Sequence, residues 1–237
     1  MLWYKAWLET RTRFLIGFLG ITALASWSIH NQVKDALRIS GISYYYFVLH
    51  NCHQLLTFLW IIGMTMLMMG GLVREKSVGA SSFTLALPLS RRRLVWTRIA
   101  MGLVESCAMA IVPWTAMYLV EITFGKPLDV NQALMHLSML LGGGIFFFAT
   151  AVFSSSVLEG EYTAPMVAFG VLAGVAFAMN DPPLRDYSPW HTMFAASLMP
   201  TRTHRPEGVP WTVLAGFAVL AALLLLASVK IVERREF

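Results

Sequence analysis

The sequence predicts an all-α integral membrane protein with six transmembrane helices, and three observations support this class. Only 13% of the 237 residues are charged, whereas a soluble domain carries about 25%. Hydrophobic residues make up 57% of the chain, and the mean hydropathy is +0.63. The apolar residues are gathered in runs long enough to cross a membrane. The net charge of +5 is what membrane orientation requires, so nucleic acid is not predicted as a partner.

Residues 1–237 are predicted to form one transmembrane domain that begins with an amphipathic segment at residues 1–13. Trp3 and Trp7 share the apolar face of a helix over this segment, and tryptophan prefers the membrane interface. We therefore predict an interfacial helix that these two residues anchor. The alternative is that the segment is the solvated start of the first membrane helix. The six predicted spans are residues 14–30, 48–73, 99–124, 132–153, 163–179 and 211–229.

Two local features distinguish the later part of the chain. Glycines occupy three consecutive positions, 142–144, in the fourth span, and they either let another helix approach closely or weaken the span locally. Residues 180–210 are rich in proline and too polar to span, which predicts an extracytoplasmic segment. Within that segment, Ser188 and Pro189 favour the start of a short helix over residues 190–199.

Basic residues are divided unequally between the two sides of a six-span topology. The side that holds both termini carries two thirds of the 18 Lys and Arg residues. Since basic loops stay in the cytoplasm, both termini are predicted to be cytoplasmic in a multi-pass protein of the inner (cytoplasmic) membrane. The residues on that side are Lys5, Arg11, Arg13, Arg74, Lys76, Arg91, Arg92, Arg93, Arg98, Lys230, Arg234 and Arg235.

Glu105 is an ionisable residue inside the third apolar run. A charged group at membrane depth is costly unless it is paired or faces water. We predict that Glu105 either lies on a transport pathway or makes a polar contact between helices. The alternative is that it lies shallow enough to reach the cytoplasmic interface.

Three potential metal ligands, His50, Cys52 and His53, lie together in the second apolar run. Two histidines three residues apart can share one face of a helix and bind one metal ion. With His136, they define a rival hypothesis, a membrane-embedded metal or haem redox protein. The alternative is a polar patch at the outer end of the second span.

The chain contains none of the common signatures of an independent catalyst. It has no His-Glu-x-x-His zinc motif, no Gly-x-Ser-x-Gly nucleophile motif and no Gly-x-x-x-x-Gly-Lys-Ser/Thr phosphate loop. We therefore predict no enzyme activity, no metal and no cofactor of its own. Any energised work must draw its energy from a partner.

A basic stretch, residues 74–98, separates the second and third apolar runs. Residues 75–87 are compatible with a helix that Pro88 ends, because proline disfavours helical geometry in the preceding residue. Ser90 is placed to cap the next helix. That helix would begin with three arginines, Arg91, Arg92 and Arg93.

This arrangement resembles the membrane subunits of ABC-2 type ABC exporters, in which the segment after the second span is a coupling helix that docks into a cleft of a cytoplasmic ATPase. The amphipathic N-terminus is similar to the connecting helix of that family. The residues that carry the resemblance, and that it implies are ATPase-coupling residues, are Glu75, Lys76, Gly79, Leu87, Pro88, Ser90 and Arg91.

The resemblance implies the permease subunit of an ATP-driven exporter. Such a subunit forms the pathway as a dimer, with a second copy or a homologous permease, and two copies of a separate ATPase bind the ATP. Arg92 and Arg93 are predicted to be membrane anchors that contact anionic lipid, and the alternative for Arg91 to Arg93 is that anchoring is their only role. A third hypothesis is an immunity or sensor protein that binds a ligand without moving it.

Overall fold

The computed structural model describes residues 2–38, 44–67, 91–125, 130–158, 163–198 and 208–234, and these ranges are almost entirely helical, with no strand among them. The order is α1 (Leu2–Arg38), α2 (Tyr44–Leu67), α3 (Arg91–Thr123), α4 (Val130–Val157), α5 (Thr163–Ala178), α6 (Pro182–Arg185), α7 (Pro189–Met193), a 3₁₀ turn (Ala196–Leu198) and α8 (Trp211–Arg234). The all-helical class is thereby confirmed.

Each predicted apolar run overlaps a helix of the structure. Within the described residues, four stretches are long and apolar enough to cross a membrane, and a fifth apolar helix, Pro165–Ala178, is shorter. The second predicted run, residues 48–73, overlaps α2 over residues 48–67, and its remaining residues lie outside the described ranges. The protein is therefore a multi-pass helical membrane protein, and the count of six spans stays a prediction. The four stretches are Leu2–Asp35, Arg92–Thr123, Val130–Val157 and Trp211–Arg234.

The first helix is longer than the sequence predicts. α1 continues from Leu2 to Arg38, so the predicted boundary at residue 13 between an interfacial helix and the first span is not seen. The early turns of α1 lie beside the early turns of α3, where Glu9 pairs with Arg98. The segment is thus held against a neighbouring helix, and its placement in the membrane interface stays a prediction.

α1, α2 and α3 pack as a group in which α1 and α3 are parallel. Glu9 meets Arg98 near the start of both helices, and the rings of His30 and Phe124 lie 5.3 Å apart near their other end. We call the end of the bundle at which α1 and α3 begin the basic end, and the other the opposite end. Met109 of α3 fills the space left by the missing side chains of two glycines, Gly17 in α1 and Gly63 in α2.

α4 is the central helix of the bundle, and its three consecutive glycines explain how its neighbours come close. A Cβ atom on Gly142 would lie 2.8 Å from Leu214 of α8, and one on Gly143 would lie 2.6 Å from Met193 of α7. A Cβ atom on Gly144 would lie 2.4 Å from the ring of Trp60 in α2. Of the two sequence alternatives, close approach is the one seen, because α4 remains helical through the glycines.

The segment after α5 packs into the opposite end of the bundle. α7 begins at Pro189 directly after Ser188, as predicted, but it ends at Met193 rather than at residue 199. The predicted length was wrong because Ala195 has φ of 52°, a left-handed conformation that an α-helix cannot continue through. Both Met193 and Ala195 are fully buried.

Candidate functional site

Two side-chain pairs join α1 to α3 at the basic end. The Arg98 guanidinium donates to Glu9 with an N–O distance of 2.6 Å. About two turns further along α3, the Thr10 hydroxyl lies 2.5 Å from Oε1 of Glu105. We call these two pairs the α1–α3 clamp. Because both partners of each pair are on long helices, the clamp makes the first turns of α1 and α3 one unit.

Glu105 lies at the buried end of the clamp, with only 2% of its surface exposed. Its predicted polar contact between helices is seen, and its place on a transport pathway stays a prediction. The Thr10 hydroxyl has one proton but two neighbouring acceptors, Glu105 and the Ala6 carbonyl at 3.2 Å. The hydroxyl donates to Oε1 of Glu105 and is shared with the Ala6 carbonyl of its own helix. The second carboxyl oxygen, Oε2, has no hydrogen-bond partner among the described residues, so Thr10 provides the polar contact that a carboxyl group at this depth needs.

The predicted coupling residues fall mostly outside the described ranges. Glu75, Lys76, Gly79, Leu87, Pro88 and Ser90 all lie outside them, and Arg91 is the first residue of α3. Arg91 is thus the only one of these residues that the structure describes, and it begins the helix that carries the clamp. Their docking role stays a prediction.

The predicted membrane anchors lie at the basic end and face outward to different degrees. Trp3, Arg92 and Arg93 are exposed, whereas Trp7 is half-buried and makes an edge contact with Phe14 at 5.5 Å. Exposed tryptophan and arginine are the residue types that hold a helix end at the interface. Their anchoring role stays a prediction.

At the opposite end, a buried polar cluster holds α7 against α2. His53 is fully buried, and its Nε2–H donates to the Met193 carbonyl over 2.6 Å. Thr57, one turn further along α2, points to the same carbonyl at 3.5 Å. The His53 ring also packs edge-on against His136 at 4.9 Å and lies 5.6 Å from Trp114. The last carbonyl of α7 is thereby satisfied within the bundle, as a helix end at membrane depth requires.

The three predicted metal ligands of α2 do not converge. His50 accepts a hydrogen bond from Gln54, Cys52 contacts Ser28 across to α1, and His53 turns toward Met193. Within the part of the chain that the structure describes, no three His, Cys, Asp or Glu side chains are grouped so that they could hold a metal ion. The geometry gives the rival redox hypothesis no support.

The structure also contains an apolar groove that the sequence did not predict. It encloses about 350 Å³ and lies between α4, α5, α8 and the segment that holds α6 and α7. Four of its lining residues, Val213, Gly216, Phe217 and Leu220, form one face of α8. That spacing is visible in the sequence, but it does not show whether the face meets protein, lipid or a cavity.

The described structure is thus that of a multi-pass helical membrane protein with tight packing at its centre and polar contacts at both ends. The family described as ABC-2 family transporter protein matches residues 28–231, which is most of the chain. The chain belongs to this family, and the resemblance predicted from the basic stretch is confirmed. It is therefore a permease component of an ABC transporter. No curated protein matches the chain.

Proposed function

We propose that this permease belongs to an exporter, works as a dimer and is driven by two copies of a separate ATPase. The observation that carries the proposal is membership of the ABC-2 transporter family over residues 28–231. ATP would be bound by the partner subunit, in keeping with the absence of a phosphate-binding loop from the sequence. The basic end would face the cytoplasm, since most Lys and Arg residues lie on that side.

The α1–α3 clamp supports a route for the coupling. Closure of the ATPases would push on residues 75–87, and α3 begins at Arg91, a few residues further along the chain. Because Glu9 and Thr10 join α1 to α3, the two helices would move together. The Trp60 indole donates to the Ser106 carbonyl at 2.8 Å, which would pass the movement to α2.

A movement of these three helices would reach α4 through Trp60, which lies against Gly144. Rocking of packed helices about a dimer interface is an established way to switch access from one side of a membrane to the other. The proposed cycle therefore needs no chemistry by the permease itself. In this cycle the permease transmits the movement of the ATPases from the basic end to the opposite end, where the pathway opens.

The test is co-purification of the permease with its ATPase, followed by ATP-dependent transport in proteoliposomes. Glu75→Lys and Arg91→Glu reverse charges in the predicted docking segment, so we expect both to lower recovery of the complex and to abolish transport. Lys34→Glu is the matched control, because Lys34 is exposed near the far end of α1. Normal complex formation and transport by both docking variants would contradict the proposal.

A further inference from the structure

The apolar groove lies near the opposite end of the bundle, at the start of α8 and the end of α5. Its walls include Val213 and Leu220 from α8, and Val175 and Met179 from α5 and the turn that follows it. Phe146 of α4 lies at its base, against Phe217, with ring centroids 6.2 Å apart. Apart from α4, the groove is thus formed by elements that the coupling route described above does not use.

The lining of the groove excludes water as a stable occupant. Among its lining residues, only Tyr187 and Thr212 carry a polar side-chain atom. A bound water needs two to four polar partners, and the apolar wall offers none along most of its length. The groove is also larger than the roughly 150 Å³ that is enough to hold a benzene ring in an apolar cavity. An apolar occupant is therefore favoured.

The position of the groove indicates where that occupant comes from. Tyr187 lines the groove, and Trp211 directly precedes the lining residue Thr212; 60% and 66% of their surfaces are accessible. Exposed aromatic residues of this kind mark the level of the lipid headgroups. The groove therefore lies just below the interface, at the depth where the hydrocarbon chains of one leaflet begin.

We propose that this groove binds a single hydrocarbon chain of a lipid from the leaflet at the opposite end of the bundle. The chain lies between α5 and α8, covers Val213 and Leu220, and extends toward Phe146 and Phe217. The site selects for the alkyl chain rather than for a headgroup, because the polar atoms of Tyr187 and Thr212 are the only polar side-chain atoms of its lining.

Gly216 keeps the groove open and supplies a clean way to close it. It lines the groove, and a Cβ atom placed on it would meet no other atom within 4 Å. A phenylalanine at this position can therefore occupy the groove without displacing protein. Gly20 is a matched control, because it is an exposed glycine within α1 that also has open space at its Cβ, and it lies outside the groove.

The experiment uses the full chain in vesicles of phosphatidylcholine and phosphatidylglycerol. A trace of phosphatidylcholine carries a diazirine at the end of one acyl chain. After irradiation and proteolysis, fragmentation of the α8 peptide locates the label residue by residue, and we expect label on the groove-lining Val213 and Phe217 as well as on the exposed Val219 and Leu223. We expect Gly216→Phe to remove the label from Val213 and Phe217 but not from Val219 and Leu223, and Gly20→Phe to leave all of it at the wild-type level.

Two results would overturn the proposal. One is wild-type protein that takes up no label on Val213 and Phe217, which would mean that a second copy or another part of the chain fills the groove. The other is label on these two residues that persists at the wild-type level in Gly216→Phe. If Gly216→Phe does not fold, Gly216→Leu replaces it, with an unchanged melting temperature as the criterion of folding. No ATPase is present in this experiment, so its outcome is separate from that of the proposed transport function.

Discussion

At the scale of single residues, two buried polar side chains, Glu105 and His53, are each stabilised by a hydrogen bond to another helix. Glu105 and His53 are polar groups deep in an apolar bundle, where an unpaired group is costly. Glu105 uses the Thr10 hydroxyl, 95 positions earlier in the chain, and His53 uses the Met193 carbonyl, 140 positions later. In both cases the partner comes from a different helix, so each polar residue also fixes a helix pair.

The state of Glu105 leads to the first residue-scale prediction. Glu105→Gln keeps a donor and an acceptor beside Thr10, so we expect its thermal stability in detergent to stay close to that of the wild type. Glu105→Ala removes the contact and leaves a cavity, and we expect it to lose about 1–3 kcal/mol. Val104→Ala is the control, since Val104 is an exposed neighbour. A glutamine variant as unstable as the alanine variant would show that the clamp needs a charged carboxylate.

The sequence made Glu105 conspicuous but could not supply its partner. A carboxylate in an apolar run stands out by composition alone, which predicts a place on a transport pathway, a polar contact between helices or a shallow position at the cytoplasmic interface. Thr10 is an ordinary polar residue in a segment predicted to lie in the membrane interface. Only the packing of α1 along α3 brings the two together, because a partner 95 positions away depends on tertiary structure rather than on local pattern.

At the scale of elements, α4 is the central helix against which α2, α7 and α8 pack. Its glycines at 142, 143 and 144 face α8, α7 and α2 in turn, as successive residues of a helix must point in different directions. The sequence predicted that another helix could approach at this run. The sequence could not predict that three elements would pack against these glycines. A run of glycines shows where a neighbour can come close, but not which neighbour does.

Gly143 gives the element-scale prediction. A Cβ atom there would lie 2.6 Å from Met193 Cγ and 3.3 Å from the Pro189 carbonyl, so Gly143→Ala should push α7 away from α4. We expect a loss of about 1–3 kcal/mol, as is usual for overpacking. Gly20→Ala should instead be neutral or stabilising by up to about 1 kcal/mol, because the site is open and alanine favours a helix.

The comparison is best measured as melting temperature together with the rate at which protease cuts the segment between α5 and α8. Faster cutting in Gly143→Ala but not in Gly20→Ala would support the packing role of the glycine. Equal stability of the two variants would mean that α7 adjusts its position without cost.

At the scale of the whole molecule, one apolar helix is left largely uncovered. Met166 and Phe177 of α5 are 74% and 84% exposed. Between them, Gly170 and Gly174 are four residues apart and have open space at their Cβ positions. Small residues at this spacing let two membrane helices come together closely. Since ABC-2 permeases form dimers, we expect this face of α5 to meet its counterpart in a second copy.

The dimer prediction is tested by replacing Gly174 with leucine. We expect the dissociation constant of the dimer in mild detergent to rise roughly tenfold, which weakens the dimer by about 1.4 kcal/mol, because the larger side chain keeps the two helices apart. Molar mass by light scattering over a dilution series measures this. Gly20→Leu is the control, since it adds the same side chain to a different exposed helix. An unchanged dimer in Gly174→Leu would place the interface elsewhere.

The fold class and the family could be predicted because both depend on features that lie close together in the chain. Long apolar runs predict helices, and the residues from Glu75 to Arg91 carried the resemblance that the family match confirmed. The groove could not be predicted, because its walls come from residues as far apart as Phe146 and Leu220. Its existence depends on how closely four elements pack.

The contact between His53 and Met193 also constrains the order in which the protein is assembled during synthesis. α2 and α4 are synthesised before residues 182–198. His53 and Thr57 therefore have no Met193 carbonyl to contact until α7 has been made. α7 must then enter between helices already in place, and its last turn becomes stable at membrane depth only on reaching α2. We therefore expect docking of α7 to be a late step of assembly, and we expect chains truncated before Pro189 to be degraded faster in cells than the full chain, as a pulse-chase experiment would measure.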